Sequence, residues 1–208
     1  MTSTALPSSA AKPAVAVLDP PRSGAAVDPL GSVAADLARL EALLTDDTGI
    51  EFPVVAELLR AVFGAGGKRL RPAVVFHAAA LGTEAGPGPT RAAPPPAGDA
   101  VLRLAAAVET LHTATLVHDD LVDGALVRRG LPTLNARWQT GATVLAGDWL
   151  FARAARFAAD TGSVGVMRIF ARTLGTLTDG ELRQLLGRAD VLERAEYARR
   201  IYAKTASL

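Results

Sequence analysis

The chain has 208 residues, half of them hydrophobic, which is enough to bury the core of one large domain or two small ones. Its 22 basic and 21 acidic residues give a net charge of +1, so it lacks the basic excess of a general nucleic-acid or membrane-surface binder. The absence of cysteine excludes disulfides, zinc–thiolate sites, iron–sulfur clusters and cysteine nucleophiles. Few aromatic residues and abundant Ala, Leu, Val and Arg favour helices over strands.

The N-terminal segment, residues 1–28, is rich in Ala, Pro and Ser and shows no hydrophobic periodicity, which predicts a disordered tail. It lacks the basic start and clean apolar run of a signal peptide. No stretch of the chain approaches twenty uninterrupted apolar residues, so we expect no integral membrane segment. The default expectation is a cytoplasmic protein.

Hydrophobic residues at helical spacing predict one all-α domain, a helical bundle, over residues 29–208. The predicted helices cover residues 33–44, 54–63, 71–81, 100–123, 141–159, 164–186 and 192–207. A Gly/Pro-rich loop at 82–98 interrupts them, since it holds five of the thirteen prolines. It is interpreted as a surface insertion, because helices of the same composition flank it, and the alternative is a domain boundary. No segment has the period of a strand, and no internal repeat occurs. The helix over 100–123 is apolar nearly all round, as expected at the centre of a bundle.

That central helix ends in the acidic stretch HDDLVD, residues 118–123. Asp119 and Asp123 are four residues apart and share one helix face, with Cβ atoms about 5–6 Å apart, while Asp120 is turned away. The negative end of the helix dipole disfavours these carboxylates, so a cation should offset them. Mg²⁺ typically takes one or two carboxylates together with waters and phosphate oxygens. The stretch therefore indicates a Mg²⁺ site, and the alternative is a solvated acidic helix end.

Two basic clusters accompany the acidic stretch. GGKRLRP, residues 66–72, places three cations in four residues, and Lys68 and Arg71 would project the same way if the segment is helical. Arg128 and Arg129 follow shortly after the acidic helix end. Arginine binds phosphate through two parallel hydrogen bonds, and lysine adds a point charge. Either cluster alone is also typical of a solvated turn, but together with the carboxylates they predict a site for more than one polyphosphate.

The stretch LVHDDLVDGALVRRG together with GGKRLRP resembles the trans-isoprenyl (polyprenyl) diphosphate synthase family. Further similar segments follow in the family's order: GATVLAGDWL, the GE-x-x-Q pattern at 180–184, and Tyr197 through Lys204-Thr205-Ala206. The resemblance covers about residue 50 to the end. It implies a helical bundle of the isoprenoid synthase type and a homodimer, for which Val33–Leu44 and the apolar helices are possible surfaces.

The resemblance also implies roles for individual residues. The allylic diphosphate would be bound in two ways. Mg²⁺ ions held by Asp119, Asp120 and Asp123 would bridge to it, and it would be contacted directly by Arg128, Lys204 and Thr205. Those that would hold isopentenyl diphosphate are Lys68, Arg71, His112 and Arg129. For His112, a core histidine bonded to a backbone carbonyl is the alternative.

The implied reaction is an ionisation of the allylic diphosphate followed by coupling to isopentenyl diphosphate, in an interior from which water is excluded. The growing product would pass beneath the carboxylates, where Thr115 and Ala114 lie four and five residues before Asp119. In the family, bulky aromatic residues near this point block elongation. The small side chains here predict a product beyond twenty carbons, and the alternative is that Ala114 merely packs against a neighbouring helix.

The family carries a second aspartate-rich motif well after the KTA segment, and no such cluster occurs before Leu208. The chain is therefore interpreted as an N-terminal portion of a synthase, with the C-terminal helices missing. One alternative is a non-catalytic subunit that binds diphosphates or pairs with a complete synthase. The other is a class I terpene cyclase, against which Lys68, Arg71 and Arg129 argue, because a cyclase has no second diphosphate to hold.

Overall fold

The computed structural model describes residues 28, 30–46, 51–64, 66–82, 97–128, 130–186 and 193–208. The predicted tail up to residue 27, most of the predicted loop and Arg129 lie outside these residues. The helices are α1 (Ala34–Thr45), α2 (Pro53–Phe63), α3 (Leu70–Leu81), α4 (Asp99–Val122), α5 (Leu134–Arg137), α6 (Thr140–Ala159), α7 (Val164–Leu186) and α8 (Arg194–Ile201). A 3-10 turn, Gly31–Val33, precedes α1, and a π-helical turn, Tyr202–Ala206, continues α8.

The predicted all-α architecture is confirmed, with α4 at the centre of the bundle. Helix α4 packs against α1, α3 and α6. Its alanines at 105, 106, 107 and 114 are almost completely buried, and these small side chains let the neighbouring helices approach closely. Among the described helices only α4 is long and apolar enough to cross a membrane. Because 56% of its apolar window is buried inside the chain, it has the surroundings of a core helix.

Helix α1 contributes to the same core rather than to an association surface. Val33, Leu40 and Leu44 are buried against the other helices, and Leu37 and Leu43 pack at the edge of this cluster. The apolar side of Val33–Leu44 is therefore used within the chain. The expectation that it offers a dimer surface is wrong, because its hydrophobic side chains are already out of water.

The expectation that the chain contains no strand is also wrong. A two-stranded antiparallel hairpin joins α4 to α5, with β1 (Val127–Arg128) paired to β2 (Leu131–Pro132). Gly130 in its turn has φ = +80°, a conformation that glycine adopts without strain. Strands of two residues are too short to show an alternating hydrophobic pattern in the sequence. The turn and the tertiary contacts therefore determine whether this hairpin forms.

Candidate functional site

The acidic end of α4 is stopped by a glycine. Gly124 adopts φ = +64°, its N–H donates to the Leu121 carbonyl at 3.2 Å, and the Ala125 N–H donates to the Asp120 carbonyl at 2.8 Å. This is the Schellman arrangement, which satisfies the last carbonyls of a helix. It turns the chain sharply after Asp123 and directs it back along α4 as the hairpin.

The hairpin returns Arg128 to the acidic end, where it pairs with Asp120. The Arg128 Nε and Nη2 both lie 2.7 Å from Oδ1 of Asp120, whose side chain is buried. The hydrogen bond that Arg128 donates to Asp120 raises the pKa of Arg128 above its ordinary value, although partial burial acts in the opposite direction. Asp120 is thus engaged by a cation from this chain, while Asp119 and Asp123 keep oxygens available on the neighbouring face.

Lys204 reaches the same place from the other end of the chain. Its Nζ lies 3.9 Å from Oδ2 of Asp119 and 2.9 Å from Oε1 of Glu181 on α7. The close packing of α7 on the π-helical turn depends on Gly180, because a Cβ there would lie 2.7 Å from the Cβ of Ala203. Thr205 is exposed beside Lys204. The structure therefore brings Asp119, Asp123, Arg128 and Lys204 to one end of the bundle.

The electrostatics of Asp119 favour a bound cation. Burial raises the pKa of Asp119, and the charges of Glu181 and Asp123 raise it further, while Lys204 and Arg128 act in the opposite direction. The two cations that the structure places near it, Lys204 and Arg128, thus leave the negative charge of Asp119 incompletely compensated. Within the described residues no three His, Asp or Glu side chains converge on one point. Two open carboxylates nevertheless fit Mg²⁺, which completes its shell with waters and phosphate oxygens.

The basic segment before α3 is arranged differently from the prediction. Helix α3 begins at Leu70, and Arg69 has φ = +45°, so Lys68 precedes the helix and does not share a helical face with Arg71. Lys68 is exposed and Arg71 half-buried, and neither forms an ion pair with any residue that the structure describes. Both side chains keep donors that could meet an anionic ligand.

Arg69, which the sequence analysis did not select, fixes this segment against α4. Its guanidinium donates to Glu109 at 2.9 Å, to the Phe63 carbonyl at 3.0 Å and to both oxygens of Glu41. Glu109 lies one helical turn before His112, so this anchor brings Lys68 and Arg71 alongside the His112 region of α4. Glu109 could have indicated this role for Arg69 from the sequence, because a carboxylate in an apolar helix needs a buried partner of opposite charge.

Glu181 is the second functional candidate that the sequence analysis did not single out. It belongs to the quoted GE-x-x-Q pattern, yet nothing in the local sequence indicates that it faces Lys204, 23 residues later. The pairing follows from the packing of α7 on the end of α8.

The two residues proposed to set product length lie in the body of α4. Ala114 is completely buried in the main core, and Thr115 is half-buried with its hydroxyl donating to the His112 carbonyl at 2.7 Å. A cavity of about 400 Å³ adjoins another face of α4, and its lining includes Thr113, Leu116 and Asp120 but neither Ala114 nor Thr115. Their role in chain length stays a prediction.

Comparison with known proteins assigns the family. The model of the polyprenyl synthetase family matches residues 52–208, which contain every element of the acidic and basic clusters. The chain belongs to the polyprenyl synthetase family. Within that family it is 38% identical over 178 residues to the nonaprenyl diphosphate synthase of Mycobacterium tuberculosis, covering 85% of this chain and 50% of the relative.

Two other relatives extend the match. The octaprenyl diphosphate synthase of Escherichia coli is 34% identical over 177 residues, which cover 84% of this chain and 51% of that protein. A polyprenyl synthase from Caulobacter crescentus, solved with calcium and isoprenyl diphosphate, superimposes with a TM-score of 0.75 at 38% identity. That match covers 86% of this chain and 51% of the other. The chain thus spans about half the length of these three relatives.

Proposed function

We propose that this chain takes part in the condensation of isopentenyl diphosphate with an allylic diphosphate to give a trans-polyprenyl diphosphate. One observation carries the proposal. The open carboxylates of Asp119 and Asp123 lie with the cations of Arg128 and Lys204 at one end of an apolar helical bundle. Carboxylates for a metal and cations for phosphate are what a diphosphate leaving group requires. The relatives' names favour a synthase over a terpene cyclase.

Mg²⁺ is the cofactor of this proposal, and Asp119 and Asp123 would hold it, with Asp120 beside them. When bound, it supplies Lewis-acid stabilisation of the charge that develops on the diphosphate oxygens. Arg128 and Lys204 add hydrogen bonds to the same oxygens, and Thr205 adds a hydroxyl. The relative solved with both a divalent cation and isoprenyl diphosphate supports this assignment.

The reaction breaks the allylic C–O bond, and its electron pair leaves with the diphosphate. The double bond of isopentenyl diphosphate, held by Lys68, Arg71, His112 and Arg129, attacks the resulting allyl cation and forms the new C–C bond. The released diphosphate takes the proton that the coupled product loses. Arg128 and Lys204 act where the negative charge grows, so their contribution is larger in the transition state than in the bound substrate.

The apolar core beneath the site protects the cation from water. Ala114, Leu111 and Leu150 are completely or almost completely buried around α4, so the bundle offers a hydrocarbon environment below the carboxylates. With small residues at positions 114 and 115, a product beyond twenty carbons is proposed. A homodimer is proposed as well, and apolar side chains exposed on α7, such as Val164, Ile169 and Leu185, support it.

The test is incubation of the protein with isotope-labelled isopentenyl diphosphate, an allylic starter and Mg²⁺, followed by chromatography of the dephosphorylated products. Incorporation of label into products longer than twenty carbons is the expected result. No incorporation together with Mg²⁺-dependent diphosphate binding would favour the non-catalytic subunit. Unlabelled cyclic products, formed from the allylic substrate without isopentenyl diphosphate, would favour the cyclase.

The chain-length proposal has its own variant. Thr115→Phe should shorten the products, because an aromatic ring one turn before Asp119 would block the growing chain. Ala114→Phe tests the same idea, but at a completely buried core position the larger side chain also costs about 1–3 kcal/mol of stability. Val74→Phe on the exposed side of α3 is a control. Unchanged product lengths in both α4 variants would show that another residue sets the limit.

A further inference from the structure

The ammonium of Lys204 lies between two carboxylates from different helices. Its Nζ is 2.9 Å and 3.2 Å from the two oxygens of Glu181, and 3.9 Å from the nearer oxygen of Asp119. Glu181 therefore holds this cation more closely than Asp119 does, although the proposed reaction gives Glu181 no part. Its side chain is partly exposed, so the pair forms at the mouth of the site rather than inside the core.

The position of this pair is built by the helix packing. Gly180 faces Ala203 so closely that any side chain at 180 would collide with it. Glu181 and Lys204 are the next residues on the two elements, so this contact sets them opposite each other. Lys204 lies in a π-helical turn, a rare local geometry that is frequent at functional sites.

We propose that Glu181 is a positioning residue that holds the Lys204 ammonium off Asp119. The Asp119 carboxylate then stays available to a divalent cation, while Lys204 remains beside it for the diphosphate. This inference rests on the proposed function, because it gives Asp119 a metal and Lys204 a phosphate.

The physical argument is a competition between two cations for one carboxylate. If Glu181 is removed, Asp119 is the carboxylate that the described residues still place within 4 Å of the ammonium, and a shift of about 1 Å brings the two into hydrogen-bond contact. A divalent cation must then displace the ammonium before it can bind. If Glu181 acts only through its own negative charge on the metal, its removal weakens metal binding whether or not Lys204 is present. A double-variant cycle distinguishes these two mechanisms.

The experiment measures the Mg²⁺ concentration that gives half-maximal binding of inorganic diphosphate, by calorimetry at stepped MgCl₂ concentrations. The proteins are the full chain, Glu181→Ala, Lys204→Met and the double variant. Glu181→Ala should raise the half-maximal Mg²⁺ concentration about five-fold, the effect expected of one partly exposed ion pair. In the Lys204→Met background the same substitution should change nothing. Glu196→Ala is the matched control, because it removes a carboxylate on α8 that pairs with Arg199.

A second measurement omits the diphosphate, so that weakened phosphate binding by Lys204→Met cannot conceal the result. Binding of Mn²⁺ alone, followed by the loss of the aqueous Mn²⁺ resonance, should give the same pattern in the four proteins. Glu181→Gln keeps the shape and one hydrogen-bond acceptor, so it should give a smaller shift than Glu181→Ala. Near-UV circular dichroism establishes that each variant keeps the native packing.

Two results would overturn the inference alone while leaving the proposed function intact. They are an equal effect of Glu181→Ala with and without Lys204, and no effect in either background, in a wild-type chain that binds diphosphate with Mg²⁺. Failure of the wild-type chain to bind diphosphate with Mg²⁺ would overturn the proposed function and this inference together.

Discussion

Two charged clusters are attached to α4, and they differ in how completely their charges are paired. Near the middle of the helix, all three guanidinium nitrogens of Arg69 donate hydrogen bonds. Their acceptors are Glu41, Glu109 and the Phe63 carbonyl. At the end of the helix, the ammonium nearest to Asp119 is 3.9 Å away. In the first cluster, the cation and its carboxylates are paired with each other within the chain. Among the residues that the structure describes, the second has more carboxylates than cations, so an added cation would find a negative partner there.

The difference separates an anchor from a site. A buried ion pair in which every guanidinium nitrogen is hydrogen-bonded fixes the geometry of two segments, here the turn before α3 and the helix α4. At the second cluster, burial and the charges of Glu181 and Asp123 raise the pKa of Asp119, and a bound cation would stabilise its charged form. The same residue types therefore serve two purposes, and the completeness of their hydrogen bonding distinguishes them.

Breaking the closed cluster should have the largest effect on stability. Arg69→Met leaves Glu109 buried without its partner, and we expect a loss of about 3–5 kcal/mol in the free energy of unfolding. Urea denaturation monitored by circular dichroism measures it. Arg137→Met is the matched control, because it breaks an exposed pair with Glu57 and should cost less than about 1 kcal/mol. Equal losses in the two variants would contradict the distinction between the clusters.

Removing a carboxylate from the open cluster should affect binding rather than folding. Asp119→Ala should weaken Mg²⁺-dependent binding of diphosphate about 100-fold, since one carboxylate cannot replace two across a helix face. Stability should change little, because the charge that is removed was incompletely paired. Calorimetry measures the binding, and Asp179→Ala on the exposed side of α7 is the control. Unchanged Mg²⁺-dependent binding would exclude Asp119 as a ligand.

A third substitution tests how the open cluster is held in place. The His118 ring lies against Gly147 on α6, with Nε2 at 3.1 Å from the Val144 carbonyl. A Cβ at position 147 would lie 2.2 Å from that nitrogen. Gly147→Ala should therefore cost about 1–3 kcal/mol and weaken Mg²⁺-dependent diphosphate binding, because Asp119 follows His118 directly.

The control for this substitution is Gly175→Ala in α7, where a Cβ meets open space. It should raise stability by about 0.5–1 kcal/mol, since alanine loses less backbone entropy in a helix than glycine does. The double variant Gly147→Ala with His118→Ala should recover part of the lost stability by removing the collision. Destabilisation of equal size at both glycines would argue against a specific role for the His118 contact.

The smallest expected effect is a change in substrate preference. Arg128→Gln should weaken binding of the allylic diphosphate more than that of isopentenyl diphosphate, and Arg129→Gln should do the reverse, each by about ten-fold. Michaelis constants for both substrates measure the difference. If each variant raises both constants equally, the two arginines do not divide the substrates as the family resemblance implies.

The helices could be predicted from sequence because their signals are local. Val164–Leu186 agrees with its prediction at both ends, and α2, α3, α4 and α6 each begin within one residue of the predicted start. For helices of this length, the spacing of apolar residues and the glycines near their ends are sufficient to predict where each helix lies. The hairpin after α4 could not be predicted, because its two-residue strands depend on the turn and on contacts with α4.

The sequence by itself determined the family, the acidic helix end and the basic residues near it. These depend on residue identity and on spacing within one helix, which the chain carries directly. Only the tertiary structure decided that Asp120 is engaged by Arg128, that Arg69 is an anchor, and that Glu181 holds Lys204. Each of those pairings joins residues on different elements, and the packing of the elements determines which charges meet and which remain available for a ligand.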